Sequence, residues 1–78
     1  MQKVIIYTTP VCPYCQMAKA FFSQHNISYE EKDVSTDEKA VEEMIHKSGQ
    51  LGVPVIDIDG QIVIGFDKET LSNLLNIK

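Results

Sequence analysis

Short β-branched runs alternating with segments of helical periodicity predict an α/β protein: a four-stranded mixed sheet with helices on both faces, in the order βαβαββα. Three observations carry this expectation. Val4-Ile5-Ile6-Tyr7 is a compact β-branched and aromatic run that stops at Thr8-Thr9-Pro10, as a buried strand ending in a turn would. Val53 to Ile58 is almost continuously apolar, the pattern of a strand covered on both sides. Asp59-Gly60 follows at once, a tight-turn dipeptide, and Gln61 to Ile64 supplies the second arm of a hairpin, so the sheet is not purely parallel.

The remaining elements follow in order. Pro13 fits the first position of a helix, where its missing N–H costs nothing, and that helix is expected from about Pro13 to His25 with Ala18, Phe21, Phe22 and His25 along one side. Asn26 then provides a left-handed stop. Ile27 to Val34 opens with apolar alternation and becomes charged through Glu30, Glu31, Lys32 and Asp33, which suits a strand at a sheet edge. A right-handed crossover is expected between the first two strands. Ser35 and Glu38 have the spacing of a capping box, Ala40, Val41, Met44 and Ile45 form an apolar stripe, and Gly49 ends that helix. Asp67 is placed to cap a last helix with Leu71, Leu74 and Leu75 turned inward.

Residues 1–78 fit one small domain with a modest core. A hydrophobic share of 44% argues against disorder, and a formal charge of −4 argues against nucleic acid, whose phosphates need a basic face. No apolar stretch approaches a membrane span and no secretory signal is recognised at the N-terminus, so the expected compartment is the cytoplasm.

Two cysteines, Cys12 and Cys15, require a chemical explanation. They close almost no loop, so a bond between them would restrain little unfolded-chain entropy. They fall where a strand gives way to a helix, and there the first backbone amides lack helical partners and the macrodipole is positive. Cys12 at the cap is expected to set its sulfur against the amides of Tyr14 and Cys15 as an exposed, thiolate-forming nucleophile. Cys15, a turn further on and facing the sheet, is expected to be the more buried and less acidic thiol. Such a pair suits disulfide exchange: Cys12 attacks a substrate disulfide and Cys15 releases the product. A structural zinc site would need four ligands, and the remaining candidates, His25 and His46, lie near the ends of two different helices without finger spacing. His25 is better read as a helix C-terminal cation or a partly buried side chain, and His46 as a solvated one.

With these residues in view, the sequence resembles the glutaredoxin family over essentially its whole length. The likeness is carried by Tyr7-Thr-Thr-Pro-Val-Cys-Pro-Tyr-Cys15, by Gly49-Gln-Leu-Gly-Val-Pro54 and by Ile64-Gly-Phe-Asp67. It implies the thioredoxin fold, thiol–disulfide oxidoreductase activity through a Cys12/Cys15 dithiol, and glutathione as co-substrate with no metal. It also implies that Pro54 is a cis-proline facing the sulfurs and that the backbone of Val53 pairs with the glutathione cysteinyl main chain. Tyr14 would flank the sulfur, unless it only packs beside the helix start. Gln50 matches a position that reaches the glycyl carboxylate, although an exposed loop glutamine is the simpler reading. Gly65, Phe66 and Asp67 match the segment that holds the γ-glutamyl end; Asp67 can also do no more than cap the last helix.

The sequence departs from the family pattern at Thr9, where many glutaredoxins carry lysine, at Gly52 in place of threonine, and at Ile64 in place of a glycine. Gly65-Phe66 is also similar to redoxins that are recharged by thioredoxin reductase and donate electrons to ribonucleotide reductase. Three functions are therefore expected to compete. The leading one is reduction of protein disulfides or glutathione mixed disulfides by a monomer; the second is that alternative electron route. The third, of another class, is a glutathione-dependent iron–sulfur or metal carrier.

Overall fold

A computed structural model describes residues 3–77. Its order is β1 (Val4–Thr8), α1 (Pro13–Gln24), β2 (Glu30–Asp33), α2 (Glu38–Ser48), β3 (Val55–Ile58), β4 (Gln61–Ile64) and α3 (Lys68–Leu75). The strands form one sheet in the order β2-β1-β3-β4. β1 and β2 run parallel, with Ile6 opposite Glu31; β1 and β3 are antiparallel, with Ile6 opposite Ile56; β3 and β4 form the hairpin. No helix among the described residues is long and apolar enough to cross a membrane.

The pleat divides β1 between two cores. Val4 and Ile6 meet Ala18, Phe21 and Phe22 of α1 and Leu71 of α3 on one side, together with Ile56, Ile58 and Val63. Ile5 and Tyr7 meet Ala40 and Met44 of α2 on the other, together with Val55. Helices therefore cover both faces, and every residue of the two central strands, β1 and β3, is buried. Both residues of the Asp59-Gly60 turn have positive φ, 50° and 90°, as a tight hairpin whose twist matches its strands requires.

Asn26 (φ 56°) and Gly49 (φ 75°) adopt the left-handed conformation expected where α1 and α2 stop. Three local expectations need correction. Asp37, not Ser35, caps α2: its carboxylate accepts from the amides of Lys39 and Ala40 at 3.0 and 3.2 Å. A carboxylate suits the positive helix end better than a hydroxyl, and Ser35 is instead drawn into a turn with Asp33. Ile45 lies on the outer side of α2 and is exposed, leaving Ala40 and Met44 as the buried positions. β2 begins at Glu30 because Ile27 and Tyr29 pack against the α1 core from the connection. Of the two readings of His25, the C-terminal position holds and the partly buried one does not: its backbone amide caps α1 and its exposed ring rests 4.7 Å from that of Phe21.

Under α2 the sheet carries a polar cluster. Lys47 donates to Asp57 (2.7 Å) and to the Tyr7 hydroxyl (2.8 Å), Tyr7 donates to Glu43, and Lys32 donates to Glu43 (2.8 Å). Asp57 is buried in β3, and its other oxygen accepts the Gly60 amide at 2.7 Å. Lys32 and then Tyr7 hold the Glu43 carboxyl at about 2, well below its ordinary 4.5. Burial alone would lower the Lys47 ammonium, but Asp57 and Tyr7 keep it above its usual range.

Two outcomes follow for stability. Phe22→Ala removes a fully buried ring and is expected to cost about 3–5 kcal/mol in denaturant unfolding, a large part of a total of about 5–15 kcal/mol. Because the Glu43 carboxyl is depressed in the folded state, its stabilising contribution is present above pH 4.5 and is lost as the pH falls toward about 2. Urea midpoints measured across that interval should decline, and Glu43→Gln should flatten the decline.

Candidate active site

β1 ends at Thr8, and the turn that follows, closed by the Cys12 amide donating to the Thr9 carbonyl at 3.3 Å, delivers Cys12 to the start of α1. Cys12 is the N-cap, with extended backbone (φ −89°, ψ 112°), and Pro13 opens the helix. The Cys12 Sγ accepts the Cys15 amide at 3.1 Å, in the place a serine or aspartate oxygen would take. Of the two amides expected to face this sulfur, Cys15 supplies the bond. The first turn contains no carboxylate, so no side-chain anion competes for the helix end.

Both cysteines are free thiols, and their exposures differ less than expected. Cys12 is 9% exposed and Cys15 is fully buried. Cys12 is thus recessed, with Val11 and Tyr14 standing 88% and 61% exposed on either side of it. Burial, followed by a hydrogen bond with Cys12, pushes the Cys15 thiol up to about 12. A reagent or substrate at neutral pH therefore meets a sealed, protonated Cys15 behind the sulfur at the rim.

The loop before β3 closes the other side. The Val53–Pro54 peptide is cis, Pro54 is buried, and the Val53 carbonyl lies 3.9 Å from Cys12 Sγ. The Gly65 amide (φ 80°) donates to the Pro54 carbonyl at 2.8 Å, tying the end of β4 to this loop. Phe66 packs edge-on to Phe21 at 5.9 Å and is half-buried. Asp67 caps α3, accepting the Thr70 amide at 3.2 Å and its hydroxyl at 2.7 Å. The Thr70 hydroxyl, and then its amide, hold the Asp67 carboxyl below the usual range. Gln50 is exposed, its side-chain nitrogen near Gly52, while its backbone is held by Ser48. Cys12, Cys15, Val53 and Pro54 thus form one cluster, joined to Gly65 through a backbone bond; Asp67 and Gln50 are engaged locally.

Lys19 and Glu31 were not singled out by the sequence. Lys19 follows Cys15 by one helical turn and donates to Glu31 at 2.8 Å, and Glu31 accepts from Thr8 Oγ1 at 2.9 Å. Only the i,i+4 spacing of Cys15 and Lys19 was legible beforehand, because the Glu31 contact depends on the register of β2.

The glutaredoxin family model matches residues 4–63, from the start of β1 into β4. The chain belongs to the glutaredoxin family. Over 70 residues it is 44% identical to a glutaredoxin-like 8.6 kDa protein in the rubredoxin operon of Clostridium pasteurianum, covering 90% of this chain and 93% of that one. Glutaredoxin 3 of Escherichia coli K12 is 43% identical over 67 residues, covering 86% and 81%. Among solved structures, the thioredoxin-like protein BC3987 superposes with a TM-score of 0.86 at 37% identity, covering 91% of this chain and 97% of that one. The glutaredoxin of Archaeoglobus fulgidus gives 0.87 at 25%, covering 96% and 87%. This glutaredoxin has the thioredoxin-like fold of those proteins and is a redox protein of their kind.

Limiting iodoacetamide at neutral pH should label Cys12 and leave Cys15 unmodified, as read by peptide mass spectrometry. Labelling should reach Cys15 only after denaturation.

Proposed function

We propose that this glutaredoxin reduces protein disulfides or glutathione mixed disulfides in the cytoplasm, with Cys12 as nucleophile and Cys15 as resolving thiol. The observation that carries the reading is the asymmetry of the two sulfurs: one recessed but 9% exposed on a helix N-terminus, the other sealed and protonated. Cys12 thiolate attacks a substrate sulfur, the substrate disulfide breaks, and the electron pair leaves on its other sulfur. Cys15 then attacks Cys12 Sγ in the mixed disulfide, releasing the second substrate sulfur and leaving a Cys12–Cys15 disulfide.

Glutathione is the proposed reductant. The Val53 backbone, beside the sulfur and turned by the cis peptide, would pair with its cysteinyl main chain. Tyr14, Gln50, Pro54, Gly65, Phe66 and Asp67 would complete the site, with Asp67, both of whose oxygens accept from Thr70, taking the ammonium on their remaining lone pairs.

A second reading, recharging by thioredoxin reductase, is favoured by the rim itself. Glutathione carries two carboxylates, yet the sequence contains no arginine, and Thr9, Val11 and Tyr14, close to Cys12 in the chain, are uncharged. Val11, Tyr14 and Leu51 are exposed, and such apolar and aromatic side chains match a protein partner better than a tripeptide with two carboxylates.

Oxidised protein supplied with NADPH and either regenerating system separates the two. Turnover with glutathione and glutathione reductase supports the first reading, and turnover with thioredoxin reductase alone supports the second. Cys12→Ser should abolish turnover in either assay. Cys15→Ser should accumulate the mixed disulfide, visible as an adduct by intact-protein mass. Full turnover by Cys12→Ser would overturn both readings.

A further inference from the structure

The resolving step faces an electrostatic obstacle. Cys15 must give up its proton to attack, yet it is fully buried and its thiol is pushed up to about 12, chiefly by burial and then by the bond to Cys12. Cys12 and, most weakly, Lys19 act on it from α1, and the backbone of Thr9 acts on it from the turn after β1; Lys19 lies one helical turn beyond Cys15 on the same side of α1. Of these, Lys19 brings a positive charge.

Lys19 is well fixed for a lysine. Its side chain is 19% exposed, its Nζ is bound to Glu31 Oε2 at 2.8 Å, and that same oxygen accepts Thr8 Oγ1 at 2.9 Å. The chain Thr8–Glu31–Lys19 thus runs from the end of β1 through β2 to the helical turn after Cys15. Tyr29, Glu31 and Asp33 act on Lys19 from β2 and the connection before it, and Glu31 holds the ammonium charged.

We propose that Lys19, held by Glu31 and Thr8, is a positioning residue for resolution: its ammonium favours the thiolate of Cys15 at the moment that thiol attacks the mixed disulfide. This rests on the dithiol reading above. In the step, the Cys15 proton is lost to solvent and the electron pair on its sulfur forms the bond to Cys12 Sγ. The bond from Cys12 Sγ to the substrate sulfur breaks, and the pair departs on that sulfur as a thiolate, which takes up a proton where its own pKa lies above the pH. The protein dithiol is oxidised by two electrons and the substrate disulfide is reduced by two.

The test is a single-turnover reaction of reduced protein with dithiobis(nitrobenzoate), which releases one coloured thiolate when Cys12 attacks and a second when Cys15 resolves. Lys19→Gln should leave the first phase unchanged. It should slow the second about three- to tenfold at neutral pH and move its pH profile upward, and Lys19→Arg should restore both. A second phase that is unchanged, or slowed by the same factor at every pH, overturns the proposal, since a purely structural clamp would do the latter. Absence of a fast first phase in the wild-type protein instead defeats the dithiol reading. Thiolate absorbance in a Cys12→Ser background tests Lys19 without turnover: Cys15 should ionise at higher pH when Lys19→Gln is added, and an unmoved titration overturns the proposal.

Discussion

The arrangement of the site depends on one hydrogen bond, from the Cys15 amide to Cys12 Sγ. It places a polarisable sulfur at the open end of α1, where the helix would otherwise recruit a carboxylate or a hydroxyl. The same bond brings the two cysteines within reach of one another, because an N-cap and the third helical residue always lie together. The capping of a helix and the pairing of two thiols are here a single structural event. Pro13 contributes by making the first helical position one that needs no amide partner.

The sheet and its neighbours hold that junction still. β1 is buried along its whole length, so the turn that follows starts from a fixed point. α1 is pressed onto β1 and β3 by Ala18, Phe21 and Phe22, which sets the direction of its axis. The loop carrying Val53 is fixed separately, through the Gly65 amide on the Pro54 carbonyl. Two segments that are distant in sequence therefore meet at the sulfur from opposite sides, each held by its own local contacts.

Much of this was legible in the sequence. The order of elements, the Asp59-Gly60 turn, the charged edge strand, the stops at Asn26 and Gly49 and the cap at Asp67 all rest on local backbone preferences, and local preferences survive folding. Errors arose where two local signals competed. Ser35 and Asp37 both suit a helix cap, and only the backbone path chooses between them; Ile45 fits an apolar stripe in sequence, yet α2 buries only Ala40 and Met44. The polar cluster of Tyr7, Lys32, Glu43, Lys47 and Asp57 was invisible because its members come from four elements. Its one advance signal was an aspartate in the otherwise apolar Val55–Ile58 strand. Recession of Cys12 was also missed, since exposure at a turn depends on what the fold brings beside it, here the Val53 carbonyl from the loop before β3.

The two edges of the sheet are unlike. β2 lines one side with Glu30, Glu31, Lys32 and Asp33, a row of charge that disfavours the approach of another backbone. β4 lines the other with Gln61-Ile62-Val63-Ile64, and Ile64 is half exposed. A molecule with one guarded and one open margin can extend its sheet only once. Two copies meeting β4 to β4 would present charge at both outer limits, so the association would terminate at a pair instead of propagating into a fibre.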